Sequence, residues 1–417
     1  MKVTLINTDD FTGGAAIACR RLLVALTKNG IDAKLLVQAS KSGETAIVST
    51  DDSWFKQKLS FLRFVLERLW FWPYEKSKDI RFQFNLSHFG QDISGNELIK
   101  NTDIAHLHWI NFGFLSLKSI QKLFKTGKPV VWTLHDMWAF TGGCHYSDEC
   151  DNFKNQCGNC EQFLKSPSPS DLSHQIWKEK ETTFNNANLT IVTCSEWLGR
   201  LAKDSSLFKN VKVIAIPNPI DIDVFKPIAK SEARMKLGLD EQKDYILFAA
   251  MQVGAIRKGF VYLKEALENL KNTSSKNTEL LVFGQADAET LQALPYKVNN
   301  LGRLTEIEKI VLAYCAASVF VIPSLEDNLP NTIMESLACG TPVVGFNVGG
   351  IPEMVEHQKN GYVAQYKSAQ DLASGIEWVL QCSDYQSLCQ NSRQKVVENY
   401  SEDVVAKQYE ELYKSLL

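Results

Sequence analysis

Short apolar runs alternate with amphipathic stretches from the first residues onward. "KVTLIN" (2–7) and "AKLLVQ" (33–38) read as strands. Between them "AAIACRRLLVALTKNG" sets Ile17, Leu22, Leu23 and Leu26 on one helical face and stops at Gly30. "DIAHLHW" (103–109), "PVVWTLH" (129–135), "LTIVTC" (189–194) and "VKVIAIP" (211–217) continue the series. Then "PNPIDIDVFKP" (217–227) breaks the periodicity with three prolines and reads as a linker. The alternation restarts at "DYILFAAMQ" (244–252) and runs through "LLVFGQ" (280–285), "SVFVIPS" (318–324) and "TPVVGF" (341–346). Apolar strands separated by helices predict parallel sheets covered on both faces. The pattern therefore predicts an α/β chain of two doubly wound domains, 1–216 and 228–400. A capped amphipathic helix over 401–417 is expected to pack back on the first.

One stretch departs from the scheme. "SWFKQKLSFLRFVLERLWFWPYEK" (53–76) is dense in aromatics and carries Lys56, Lys58, Arg63 and Arg68. On a helical wheel Phe55, Leu59, Leu62, Leu66 and Leu69 share a broad apolar face, while the basic residues form no clean polar one. It reads either as a helix packed on the sheet or as a peripheral membrane contact.

Composition narrows the class. A chain of 417 residues exceeds one compact core. With 45% hydrophobic and 22% charged residues it is globular, and a net charge of -3 offers no basic excess for nucleic acid. The first residues lack the apolar core of an export signal, and no apolar run reaches 18 residues. A cytoplasmic chain is the expectation, with Cys19, Cys194, Cys315, Cys339, Cys382 and Cys389 reduced and mostly buried.

Ligands of open parallel sheets bind at the carboxyl ends of the strands, so residues there carry the most weight. Gly13 and Gly14 open the first helix, where backbone can approach an anion. The G-x-G-x-x-G fingerprint is absent, which disfavours a nicotinamide-dependent dehydrogenase. His135 ends a strand and can hydrogen-bond a polar ligand. Arg257 and Lys258 precede a glycine and a helix, a position that disfavours cations unless an anion binds there. In "SLEDNLPNTIMESLACGTPVV" (324–344), a loop of Glu326, Asp327 and Asn328 leads through Pro330 into a helix carrying Glu335. The loop amides suit a phosphate and Glu335 a sugar diol, although Asp327 alone would serve equally as a helix cap.

These residues resemble the family 4 retaining glycosyltransferases, whose GT-B fold sets two Rossmann-like domains facing across a cleft. The match rests on Asp327, seven residues, Glu335 and "ACGTPVV", with "PNPID" (217–221), Lys258-Gly259, "NLGRL" (300–304), "VGGIPEMV" (348–355), "NGYVA" (360–364), "GGAA" and "TLHD". Two positions depart from the family pattern. Asp327 stands where the family usually has glutamate, with Glu326 as its neighbour. Val253 stands where an arginine is usual, and Arg257 adjoins the lysine instead.

The resemblance implies a hexosyltransferase-type enzyme. It would move a sugar, with retention, from a nucleoside-diphosphate sugar to a glycan or lipid-linked glycan, in cell-surface polysaccharide biosynthesis. By resemblance His135, Arg257, Lys258 and Asp327 are catalytic. Gly13, Gly14, Glu326, Asn328, Leu329 and Glu335 hold the donor, and no catalytic metal is needed. A nucleotide-sugar epimerase of the same fold is the nearest alternative, and a non-catalytic zinc scaffold a more distant one.

The scaffold alternative comes from "TGGCHYSDECDNFKNQCGNC" (141–160), spaced Cys144-x5-Cys150-x6-Cys157-x2-Cys160. The closing Cys-x2-Cys has zinc-chelate spacing, with His145 as a substitute ligand. Structural zinc is the expectation in a reducing compartment; two disulfides and four free thiols also fit the count.

Overall fold

The computed structural model describes residues 1–252, 256–273 and 277–417. Val253, one of the two departures, lies outside them. The chain forms two compact units, Met1–Pro219 with Val405–Leu417, and Ile220–Val404.

The first unit is built on seven parallel strands: β1 (Lys2–Asp9), β2 (Asp32–Ala39), β3 (Ile47–Ser49), β4 (Ile104–Leu107), β5 (Val130–Leu134), β6 (Leu189–Thr193) and β7 (Lys212–Ala215). Their order is β3-β2-β1-β4-β5-β6-β7. Chain order reverses between β1 and β4, which pair with Val3 opposite Ile104. Such a switch point opens a crevice at the strands' carboxyl ends. One face of the sheet is covered by the helix Gly13–Lys28 through Cys19, Leu22, Leu23 and Leu26. Ile17, expected on that face, is 38% exposed. The final helix, Glu402–Lys414, adds Val405, Tyr409, Leu412 and Tyr413 to the same core.

The second unit has six parallel strands: β8 (Asp244–Gln252), β9 (Thr278–Gln285), β10 (Val298–Asn300), β11 (Val319–Ile322), β12 (Val343–Phe346) and β13 (Gly361–Ala364). Their order, β10-β9-β8-β11-β12-β13, puts the switch point between β8 and β11. Residues 220–227, expected as a linker, are bonded into this unit. Ile220 donates its N–H to Tyr400, and the Arg393 guanidinium donates to the carbonyls of Ile222 and Phe225.

The aromatic segment is a helix, Trp54–Phe71, whose buried residues are Phe71 and three polar ones, Ser60, Glu67 and Arg68. Ser60 donates to Asp51 at 2.8 Å. The Glu67 carboxylate collects the amides of Ser87, His88 and Phe89. Arg68 donates to the Arg81 and Phe84 carbonyls and to Asn85. Because these buried groups must keep their partners, they fix the helix orientation and turn part of the expected apolar face outward, while Leu59 and Leu66 stay half-buried. Phe55 is 69% exposed, and Leu62 and Leu69 about half.

Candidate active site

In the second unit, Arg257 and Lys258 leave β8 and Asp327 leaves β11, so all three stand at the switch point. Lys258 Nζ donates to Asp327 Oδ2 at 2.6 Å, and Arg257 NH1 lies 3.9 Å from the same oxygen. Arg257 also donates to the Glu326 carbonyl, and Leu325 N–H to the Arg257 carbonyl at 2.8 Å. The two cations hold the Asp327 carboxyl below the usual carboxylate range despite its burial. Two glycines allow this closeness. A Cβ on Gly259 (φ +69°) would meet the Pro323 carbonyl oxygen at 1.8 Å, and one on Gly349 (φ +61°) the Asp327 carbonyl oxygen at 1.8 Å. The lysine-glycine and "VGGIP" motifs are thus steric requirements of one loop cluster.

Asn328 and Leu329 are buried in that cluster, and Glu326 is half-buried. Glu335 sits in the helix Asn331–Ala338 with its carboxylate accepting from Tyr314 Oη at 3.2 Å. Tyr314 was not singled out in the sequence because it looks like an ordinary core aromatic.

In the first unit Gly13 takes φ +87° at the opening of its helix, with Gly14 next to it. Just before them, Asp9 Oδ1 accepts the amides of Phe11 and Thr12 at 3.0 and 2.6 Å. His135 follows β5, and its ring nitrogens face protein groups: Nε2 stands 3.0 Å from His108 Nδ1, and Nδ1 3.6 Å from Cys194 Sγ. A ligand must therefore displace one of these partners to bond His135. Behind it lies His106, fully buried between Tyr413 Oη at 2.6 Å and Thr133 Oγ1 at 2.7 Å. Burial pushes His106 down to about 3 and His135 to about 4, the latter opposed by Asp136, so both rings are neutral at pH 7.

A profile described as "Glycosyltransferase Family 4" matches residues 12–224, and one described as "Glycosyl transferases group 1" matches 229–401. The chain belongs to glycosyltransferase family 4. It is 25% identical to an uncharacterized glycosyltransferase of Methanocaldococcus jannaschii over 78% of this chain and 86% of that protein. It is also 25% identical to an Escherichia coli K12 protein named, provisionally, as a colanic acid biosynthesis glycosyl transferase, over 66% and 68%. Among solved structures it resembles sucrose-phosphate synthase from Thermosynechococcus elongatus (TM-score 0.68, 17% identity, 100% of this chain and 98% of that one). It resembles Anabaena HepE in complex with UDP equally well (TM-score 0.66, 16%, 100% of both). The fold is GT-B.

The glycosyltransferase's ten cysteines are all free thiols. Cys144, Cys150, Cys157 and Cys160 line one cavity of about 30 Å3. Among the described residues no three His, Cys, Asp or Glu side chains stand close enough to hold an ion. The loop is ordered by other means. Thr141 Oγ1 donates to the Cys144 carbonyl at 2.6 Å, and Cys160 N–H to Asp171 at 2.8 Å. Lys180, fully buried, donates to the carbonyls of Trp138 and Thr141. His145 turns away from the thiols, its Nδ1 2.7 Å from Asp136 Oδ2.

Proposed function

We propose that this glycosyltransferase moves a sugar, with retention, from a nucleoside-diphosphate sugar bound by the second unit to a glycan or lipid-linked glycan bound by the first, in cell-surface polysaccharide biosynthesis. The observation that carries the reading is the Arg257–Lys258–Asp327 cluster at the second switch point. Breaking the glycosidic bond leaves negative charge on a diphosphate, and preorganised cations are the largest single source of stabilisation for it. A diphosphate arriving there takes over Lys258 from Asp327, in place of a divalent ion. Glu335, held by Tyr314, accepts the ribose hydroxyls, and the amides of Asn328 and Leu329 hold phosphate and sugar. HepE has been solved in complex with UDP and with UDP-glucose, which supports a nucleotide-sugar donor.

A thermal-shift panel of nucleotide sugars, followed by transfer to lipid-linked acceptors with EDTA present, tests the proposal. At 100 times Kd the true donor adds about 2.7 kcal/mol and raises Tm by several degrees. If no nucleotide or nucleotide sugar moves Tm, the reading fails. Interconversion of donor sugars, without free nucleoside diphosphate and a lengthened glycan, would point to an epimerase instead.

The helix Trp54–Phe71 supports a peripheral seat on the cytoplasmic membrane face. Trp54, Phe55, Phe61, Trp70 and Trp72 are each more than half exposed, with Lys56, Lys58 and Arg63 among them. Aromatics beside cations match the interface of an anionic bilayer. No helix among the described residues is long and apolar enough to cross one. The protein is expected to sediment with vesicles containing phosphatidylglycerol, and Phe55→Ser with Phe61→Ser to lower bound protein at least fivefold. Sedimentation unchanged by the double substitution would remove the membrane contact.

A structural zinc is proposed on narrower ground: all four loop thiols line one cavity, and closing on an ion requires the exposed Cys150 to turn inward. Protein purified without added metal should carry about one zinc per chain, lost in Cys157→Ser; metal-free protein would overturn this.

A further inference from the structure

Among the described residues, three buried side-chain nitrogens in one region of the first unit lack a hydrogen-bond partner: His108 Nε2, Asn111 Nδ2 and His145 Nε2. Their residues are 3%, 2% and 8% exposed. Buried polar groups are nearly always paired, so three orphans at one strand end call for a partner the protein itself does not supply. His108 and Asn111 follow β4 at the switch point, and His145 is brought there by the cysteine-rich loop.

The backbone around them is held firmly. Thr8 donates its N–H and its hydroxyl to the Trp109 carbonyl at 2.8 and 3.0 Å. Asn7 Oδ1 accepts from Trp109 N–H at 2.9 Å. Asp136 Oδ2 receives Trp109 Nε1 at 3.1 Å and faces His145 Nδ1 at 2.7 Å. That carboxylate accepts a hydrogen bond from Nδ1–H, and in the neutral ring this leaves His145 Nε2 as an acceptor. Phe112 sits in the left-handed region at φ +59°, an unfavourable conformation for a bulky side chain and one that clusters at ligand sites. Its ring meets Trp109 edge-on at 4.9 Å, and both rings lie 6.0 Å from His145. Trp109 and Phe112 are half-buried and so offer surface to a ligand.

We propose that this corner, Trp109 and Phe112 with His108, Asn111 and the Asp136–His145 pair, is the subsite that grips the acceptor's sugar ring. The proposal rests on the transferase reading above and adds the residues that choose the acceptor. A pyranose presents a C–H face that packs on aromatic rings and hydroxyls that both donate and accept. His145 Nε2 accepts one hydroxyl proton, and the Asn111 amide donates to another hydroxyl. The corner continues into the exposed helix: Phe112 touches Phe64 at 6.2 Å, and Phe64 touches Phe61 at 6.4 Å. A lipid-linked acceptor can therefore seat its sugar at Trp109 and run its tail along that helix. Asp136, which acts through His145 and Trp109, is a positioning residue.

Saturation-transfer NMR on the full chain tests this with methyl glycosides of glucose, galactose, mannose and N-acetylglucosamine as probes. At least one is expected to receive saturation. Trp109→Ala and His145→Ala each lower it at least fivefold, while Trp109→Phe, which keeps a ring, restores most of it. The rise in Tm given by UDP, a readout of the second unit, is expected unchanged in all variants. If an alanine variant loses its cooperative melt, His145→Gln and Trp109→Leu take its place, each expected to lower the signal as the alanine variant would. No signal from any probe, or full signal in both alanine variants, overturns the subsite. Absence of the UDP shift in every protein, with the glycoside results as expected, overturns the donor reading alone.

Discussion

Replacing Lys258 by alanine is expected to lower kcat for sugar transfer by 10²- to 10³-fold, about 3–4 kcal/mol of transition-state stabilisation. The lysine lies 2.6 Å from Asp327, at the end of a turn that Gly259 packs against Pro323. Charge builds on the leaving diphosphate only as the sugar departs, so the loss should fall mainly on kcat. Glu335→Ala should act on the other parameter. It removes a charged acceptor from the ribose, and hydrogen bonds to charged groups are worth about 1.5–3 kcal/mol. The donor KM should therefore rise by roughly one to two orders of magnitude. Steady-state kinetics on both variants, with Tm confirming that each remains folded, checks the pair. Normal rates in both would mean the diphosphate binds elsewhere.

Acidification is expected to destabilise the first unit well before its carboxylates titrate. His106 at about 3 and His135 at about 4 both lie below their ordinary value near 6.5. Between those values the unfolded chain binds more protons than the folded one, so stability falls as pH drops through that window and is fully present above it. At pH 5 the two rings together cost about 4 kcal/mol relative to pH 7.5, on the order of 10 °C in Tm. Most groups facing these rings (Tyr409, Tyr413, Thr133, Cys194) stay neutral across the window; His108 is held neutral by burial, and Asp136 stays charged. Tm of the wild type should hold from pH 8 to 7 and drop below 6.5, with His106→Gln dropping less. A Tm level from pH 7.5 to 5 would contradict the burial of these rings.

The strands were legible where both faces are covered, because burial on two sides demands an unbroken apolar run. Ile47–Ser49, Val298–Asn300 and Gly361–Ala364 escaped notice because each is an edge strand of three or four residues, too short to show a period. The orientation of Trp54–Phe71 was hidden for another reason. Its wheel shows an apolar face, but the partners of Glu67 and Arg68 come from residues 81–89, and no local pattern reveals them. In the second unit the basic pair and the Asp327 loop were readable because each stands at a strand end with a glycine enforcing its turn. His145 was not, because four neighbouring cysteines suggested a ligand set, whereas its partner Asp136 lies one loop upstream.

The last helix has a consequence for the order in which this protein can be made. Tyr409 and Tyr413 reach the first unit's interior, where Tyr413 holds His106 and Tyr409 bonds Thr133 at 2.9 Å. On the ribosome these residues emerge only after the whole of 220–404 has been translated, tens of seconds later at about 5–20 residues per second. Until then the nascent first unit has an open face over His106, and a chaperone that shields that face during elongation would have a defined time in which to act.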